Sequence, residues 1–212
     1  MPVLQIARRC SLRLVLAQTE TDAVRLREAG AHDVQVMGNL KFDMAPDPAQ
    51  IAQGRQWRAA TGRAVVLAAQ GPAFCAGADL NWMRRMADYT RAENLADAAA
   101  LAEMLRVMYE CPKPTIARIQ GDVYAGGMGL VAACDMAVSV DTANFCLSEV
   151  RLGLIPATIS PYVIRSMGTR AAHRYFLTAE RFDAKEAHRI GFVHEVVSAD
   201  QLDAKVAELT NA

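Results

Sequence analysis

Two stretches rich in glycine and alanine and one glutamate are the residues whose types and spacing could do chemistry. The first stretch, AFCAGADL, runs from Ala73 to Leu80, and the second, VYAGGMGL, from Val123 to Leu130. The glutamate is Glu149, inside CLSEVRLGLIPA. Gly121, Gly126, Gly127 and Gly129 are poor helix formers, each costing about 1 kcal/mol against alanine. Bare backbone lets a ligand touch the main chain. N–H groups in such loops, and at the start of a helix following Gly126, can face a developing negative charge. Two loops of this kind together can form a two-donor oxyanion hole. Close helix–strand packing is the competing use of the same glycines. Glu149, flanked by apolar runs, would be partly desolvated, with its pKa raised toward neutrality as a carboxyl general acid requires. Its competing reading is a surface carboxylate at a strand end.

Strands must carry these segments and helices must follow them. AVVLAA (Ala64–Ala69) reads as a buried strand feeding the first loop, and NWMRRMADY as the helix after it. Leu95, Ala98, Ala102, Leu105 and Tyr109 recur at helical spacing and predict a core-facing stripe, ended by Pro112 and Pro114. TIARIQ is a strand leading into the glycine stretch, where Gly121 is expected to relieve a turn. MAVSV and NFCLS read as further strands, the latter leading to Glu149. Helices are expected around Ala171–Leu177, Ala184–Arg189 (capped by Asp183, stopped by Gly191) and Leu202–Leu209. Upstream, LRLVLA and VQVM read as strands around a helix with Thr19 as cap, Asp22 in the first turn and Gly30 at its end. Pro48 opens another helix through Trp57 and Ala60. Strand, loop and helix alternate throughout, so the class is α/β.

Composition excludes several functions. The chain has 212 residues and 52% hydrophobic content, and its 23 basic residues balance 23 acidic ones. No basic excess points to nucleic acid. No run of about 18 apolar residues predicts a membrane span. Arg8 and Arg9 precede an apolar patch, as in an export signal, but Arg13 interrupts it and an internal strand is the better reading. The five cysteines, Cys10, Cys75, Cys111, Cys134 and Cys146, lack CxxC spacing. They read as reduced thiols of a cytoplasmic protein, and no metal site is expected.

From about Arg63 onward the chain resembles the crotonase, or enoyl-CoA hydratase/isomerase, superfamily. The matching pieces are AFCAGADLNWM, KPTIARIQGDVYAGGMGLVAACD, ANFCLSEVRLGLIPA and AERFDAKEAHRIGFVHEVV, in family order. The resemblance implies a spiral ββα core that binds an acyl-CoA thioester, with coenzyme A as part of the substrate and no separate cofactor. It implies that the N–H groups of Ala78 and Gly126 grip the thioester oxygen and that Glu149 exchanges a proton with the substrate α-carbon. Ala76, Gly77, Ala78, Asp79 and Leu80 would lie along the coenzyme A arm, with Gly127 beside it. Two-glutamate hydratases of the family carry a second carboxylate at the position of Gly129, so that base is absent from its usual place. Family isomerases work with one glutamate. The wording most resembles methylglutaconyl-CoA hydratase-like proteins of leucine breakdown, and Arg84 or Arg85 could pair with a distal substrate carboxylate. Lyase activity on a 2-enoyl-CoA is the expectation, with double-bond isomerisation second.

Residues 14–63 instead resemble part of the 3-deoxy-D-manno-octulosonic acid transferases, at the join of two Rossmann-like halves of a GT-B enzyme. The expectation is therefore a chimera: residues 1–62 a transferase-like βαβ fragment, residues 63–212 a crotonase core truncated at both ends. The alternatives to activity are an inactive chimera with weak or no coenzyme A binding and, more distantly, glycosyl transfer. The family forms homotrimers or hexamers, and the C-terminal helices that build the trimer are expected to be missing.

Overall fold

The computed structural model describes residues 15–17, 20–28, 34–36 and 64–211. Four apolar runs form one parallel sheet in the order β3 (Val65–Ala68), β4 (Thr115–Ile119), β6 (Met136–Val140) and β9 (Glu195–Val197). Parallel strands covered on both faces are apolar on both faces, and Ile116, Ala117 and Ile119 on β4 are fully buried. A second sheet is built from β5 (Val123–Tyr124), β7 (Asn144–Cys146) and β8 (Phe182–Asp183). In it β7 runs parallel to β5 and antiparallel to β8.

The chain alternates between the two sheets. β4 and β5 are followed by a helix, Gly126–Ala132, and β6 and β7 by a longer one, Ser160–Thr178. This repeat is the expected ββα spiral. Within the second sheet Phe145 stacks on its cross-strand partner Phe182 at 5.6 Å and meets Phe192 edge-on at 5.7 Å. β5, β8 and β9 have two or three residues each, too few for a readable sequence period.

Upstream, β1 (Val15–Ala17), α1 (Glu20–Glu28) and β2 (Val34–Val36) form a βαβ unit with the strands parallel. Arg27 closes it by donating to the Val34 carbonyl at 2.8 Å. Among the described residues this pair is a sheet of its own. The expected Thr19 cap, the Gly30 stop and the helix opened by Pro48 lie outside the described residues.

After β3 come α2 (Leu80–Met86) and α3 (Arg91–Tyr109). A Thr90–Glu93 capping box starts α3, with the Thr90 N–H donating to the Glu93 carboxylate at 2.7 Å. The predicted core stripe on α3 is wrong except at Leu105, which is fully buried, whereas Leu95 is 67% exposed. The face that packs is Leu101, Met104, Leu105 and Met108. It is rotated from the predicted stripe because only the second half of α3 lies over the core.

The helix Gly126–Ala132 is α4 and Ser160–Thr178 is α5. α5 is broken at Gly168, whose φ of 78° and ψ of 157° are not helical, and its second half contains the helix expected around Ala171–Leu177. α6 (Ala184–Arg189) matches expectation closely. Asp183 caps it by accepting from the Glu186 N–H at 2.8 Å, and Gly191 follows it at φ 79°. α7 (Leu202–Asn211) packs Leu202 and Val206 inward.

Candidate active site

The first small-residue loop runs alongside β5 as an added strand. Cys75 pairs with Val123 in a single parallel bridge. The Phe74 and Cys75 N–H groups donate to the Asp122 carbonyl at 3.0 and 3.1 Å, and Tyr124 N–H donates to the Cys75 carbonyl at 2.8 Å. β7 lies on the other side of β5, in the register Val123↔Phe145 and Tyr124↔Cys146. The Ala125 N–H extends this pairing by donating to the Cys146 carbonyl at 2.9 Å. Three adjacent segments therefore lead, respectively, to Ala78, to Gly126 and to Glu149.

The glycines allow this approach. A Cβ on Gly121 would lie 2.0 Å from the Pro72 carbonyl oxygen. Gly121 stands at a bend, as expected, and also permits a close backbone crossing. A Cβ on Gly127 would stand 2.5 Å from the Cys75 Cβ, so the start of α4 rests directly on the first loop. Gly77, at φ 105°, places its bare Cα so that an added Cβ would touch the Ala125 methyl at 3.7 Å.

Ala125, the residue preceding α4, has φ 48° and ψ −121°, and no side chain caps the helix. A non-glycine residue in such a conformation costs about 1–3 kcal/mol and persists where its surroundings impose it. Among the described residues neither the Ala78 N–H nor the Gly126 N–H meets a backbone acceptor. Ala76 is exposed, Gly77, Ala78 and Gly126 are half-buried, and Gly127 is buried.

Asp79 is occupied locally. Its carboxylate caps α2, accepting from the Asn81 and Trp82 N–H groups at 2.6 and 3.0 Å. Leu80 is the first residue of that helix. Arg84 and Arg85 are exposed on its last turn, and Arg84 donates to the Asn81 side chain at 3.2 Å.

Glu149 opens a 3-10 turn, Glu149–Leu152, that Gly153 closes at φ 70°. It is half-buried, and among the described residues its Oε2 is buried without a hydrogen-bond partner. Burial pushes its carboxyl above the ordinary value, against an opposing hydrogen bond from its own main chain. That is the direction a proton carrier near neutral pH requires.

The carboxylate missing at Gly129 does not leave an empty space. A Cβ there would stand 2.2 Å from Ile159 Cγ2 and 2.6 Å from Ile159 Cβ. The space is filled by an aliphatic side chain from the threshold of α5. Sequence reasoning missed Asp122, Tyr124 and Asn144. The available signal was an acidic residue placed between a buried glycine and a short apolar strand.

The two sheets wound by a ββα repeat, with two small-residue loops laid beside a glutamate-bearing strand, define a fold of the crotonase class. Residues 55–212 match the family model described as enoyl-CoA hydratase/isomerase. A crystal structure of an enoyl-CoA hydratase from Shewanella pealeana is 45% identical with a TM-score of 0.72, over 77% of this chain and 62% of that one. A putative enoyl-CoA hydratase of Thermus thermophilus is 37% identical over 134 residues, which is 63% of this chain and 53% of the relative. A (7aS)-7a-methyl-1,5-dioxo-2,3,5,6,7,7a-hexahydro-1H-indene-carboxyl-CoA hydrolase of Mycobacterium tuberculosis is 39% identical, over 66% of this chain and 56% of the relative. The chain belongs to the enoyl-CoA hydratase/isomerase family. It spans about half the length of the curated relatives it matches. Residues 6–44 match a second model, the 3-deoxy-D-manno-octulosonic-acid transferase (kdotransferase).

Proposed function

We propose that this chain acts on an acyl-CoA thioester. In this reading the N–H groups of Ala78 and Gly126 polarise the thioester carbonyl, and Glu149 moves the proton at the α-carbon. Fixed amide donors that meet charge formed in the transition state supply about 3–4 kcal/mol each. The observation that carries the reading is the side-by-side course of the three segments, with a half-buried glutamate on the third. The Glu149 oxygen without a partner supports it, because a carboxyl kept for proton transfer needs a free oxygen.

The reaction is hydration of a 2-enoyl-CoA or a shift of its double bond. Ile159 beside Gly129 favours a route with one carboxylate. For the shift, Glu149 takes a proton from one carbon and returns it to another, leaving the enzyme unchanged. For hydration, Glu149 must both accept the proton of water and supply the proton of the α-carbon. A branched or carboxylated acyl group, with 3-methylglutaconyl-CoA as the candidate, rests on Arg84 and Arg85 being exposed near the first loop.

The test is incubation with crotonyl-CoA and with 3-methylglutaconyl-CoA, following the conjugated thioester absorbance. Loss of absorbance with addition of one water by mass supports hydration, and loss at unchanged mass supports the shift. No change with either, from a protein with a folded circular dichroism spectrum, overturns the reading in favour of a chain without turnover. Residues 1–62 are read as a unit separate from 63–212. Limited proteolysis cutting between the two matched segments, and leaving a resistant C-terminal fragment, is the expected result.

A further inference from the structure

Among the described residues, Asp122 is the one bonded to all three segments of the candidate site. Its main-chain carbonyl accepts from Phe74 and Cys75, at the entry to the first loop. Its Oδ1 accepts from the Asn144 main-chain N–H at 2.8 Å and from the Asn144 side-chain amide at 3.2 Å, at the start of β7. Its Oδ2 accepts from the Tyr124 hydroxyl at 2.6 Å, on its own strand, and pairs with Arg181 at 3.3 Å. Arg181 also lies over the Tyr124 ring, 5.5 Å from its centroid. Four donors thus meet one carboxylate, which has about four lone-pair sites to offer.

This clamp matters because the strands it joins are so short. β5 and β7 share only two paired positions, and the first loop shares one bridge with β5. Register is weakly specified where so few residues pair. A one-residue slip of β7 would reverse every side chain along it and carry Glu149 away from the second loop. Hydrogen bonds to an ionised carboxylate are roughly twice as strong as neutral ones, and here they sit at the end of the pairing where slippage would begin. The charge persists at neutral pH. Burial raises the Asp122 pKa, but the bonds from Tyr124 and Asn144 and the charge of Arg181 outweigh it and hold the carboxyl below its ordinary value.

We propose that Asp122 is a positioning residue: its carbonyl and carboxylate together fix the mutual register of the segments that carry Ala78, Gly126 and Glu149. The proposal rests on the acyl-CoA reading for its catalytic consequence. A misplacement of about 1 Å costs on the order of 100-fold in rate.

The experiment compares the full chain with D122A and D122N by turnover of crotonyl-CoA and by amide hydrogen exchange. D122A is expected to lose 30- to 100-fold in kcat, on the order of that misplacement cost, with KM within about threefold. D122N, which keeps the shape but cannot accept on both sides, is expected to fall between. Exchange is expected to quicken at least tenfold together around Val123 and Phe145, with β4 unchanged, while Phe74 and Cys75 keep their bonds to the main-chain carbonyl of residue 122. A D122A kcat within twofold of the wild type overturns the proposal, even if the melting temperature falls. So does loss of protection around Val123 alone or around Phe145 alone. If the wild type turns over neither crotonyl-CoA nor 3-methylglutaconyl-CoA, the acyl-CoA reading fails, and hydrogen exchange alone decides the clamp.

Discussion

Glu149 is where a single residue has the clearest measurable consequence. Its pKa is raised by burial, so the folded state prefers the protonated form. Its favourable contribution to stability is complete below the ordinary carboxyl pKa and is lost as pH rises through the folded value. Glu149→Gln is therefore expected to raise the melting temperature at pH 8. The gain should shrink to nothing near pH 4, as scanning calorimetry at both pH values would show. An unsatisfied buried polar group costs about 1–3 kcal/mol, and each kcal/mol is worth about 2–4 °C for a domain of this size. The same substitution should lower kcat by a factor of about 100 or more, the usual contribution of a positioned acid/base. The raised pKa was readable in advance because apolar residues flank Glu149 on both sides. Its free Oε2 was not, because lone-pair partners come from elsewhere in the chain.

At the scale of elements, α4 is held by what its glycines omit. Gly127 lets α4 rest on Cys75, and Gly129 lets Ile159 pack against it. Ile159 is β-branched and cannot swing away at its Cβ. Gly129→Ala is therefore expected to cost about 1–3 kcal/mol, the range for overpacking a filled core. Gly129→Glu should cost more and should not by itself restore a two-carboxylate site. Combining Gly129→Ala with Ile159→Ala should cost less than the sum of the two, a coupling that urea denaturation of the four proteins in the cycle would measure. The glycines announced a close approach, but nothing local named the atoms that approach. The α3 stripe failed for a related reason. Helical periodicity marks an apolar face, but the length of helix lying over the sheet sets which of its turns are covered.

Across the whole molecule, the end of the chain is tied to the central sheet by Arg118 on β4 and Asp203 on α7, at 2.6 Å. The Arg118 side chain is 12% exposed and that of Asp203 36%. Asp203→Asn leaves a nearly buried guanidinium short of its counter-charge. Because Asp203 is partly solvated, the expected loss is about 1–2 kcal/mol, below the range for a fully buried pair. A lower urea midpoint at unchanged slope would record it. Arg118 and Asp203 are far apart in sequence, and no spacing rule connects them. The sequence by itself determined the α/β class, the long strands, the caps of α6, and the two small-residue loops with their glutamate. Those features depend on side-chain period, turn chemistry and backbone bareness, all of which are local. Only the tertiary structure decided that Cys75, Val123 and Phe145 lie abreast, that Ile159 fills the space at Gly129, and that Asp122 holds three segments at once. Each of these brings together residues distant in the chain, by strand pairing or by helix packing, and strands of one to three residues carry too little pattern to announce their partners.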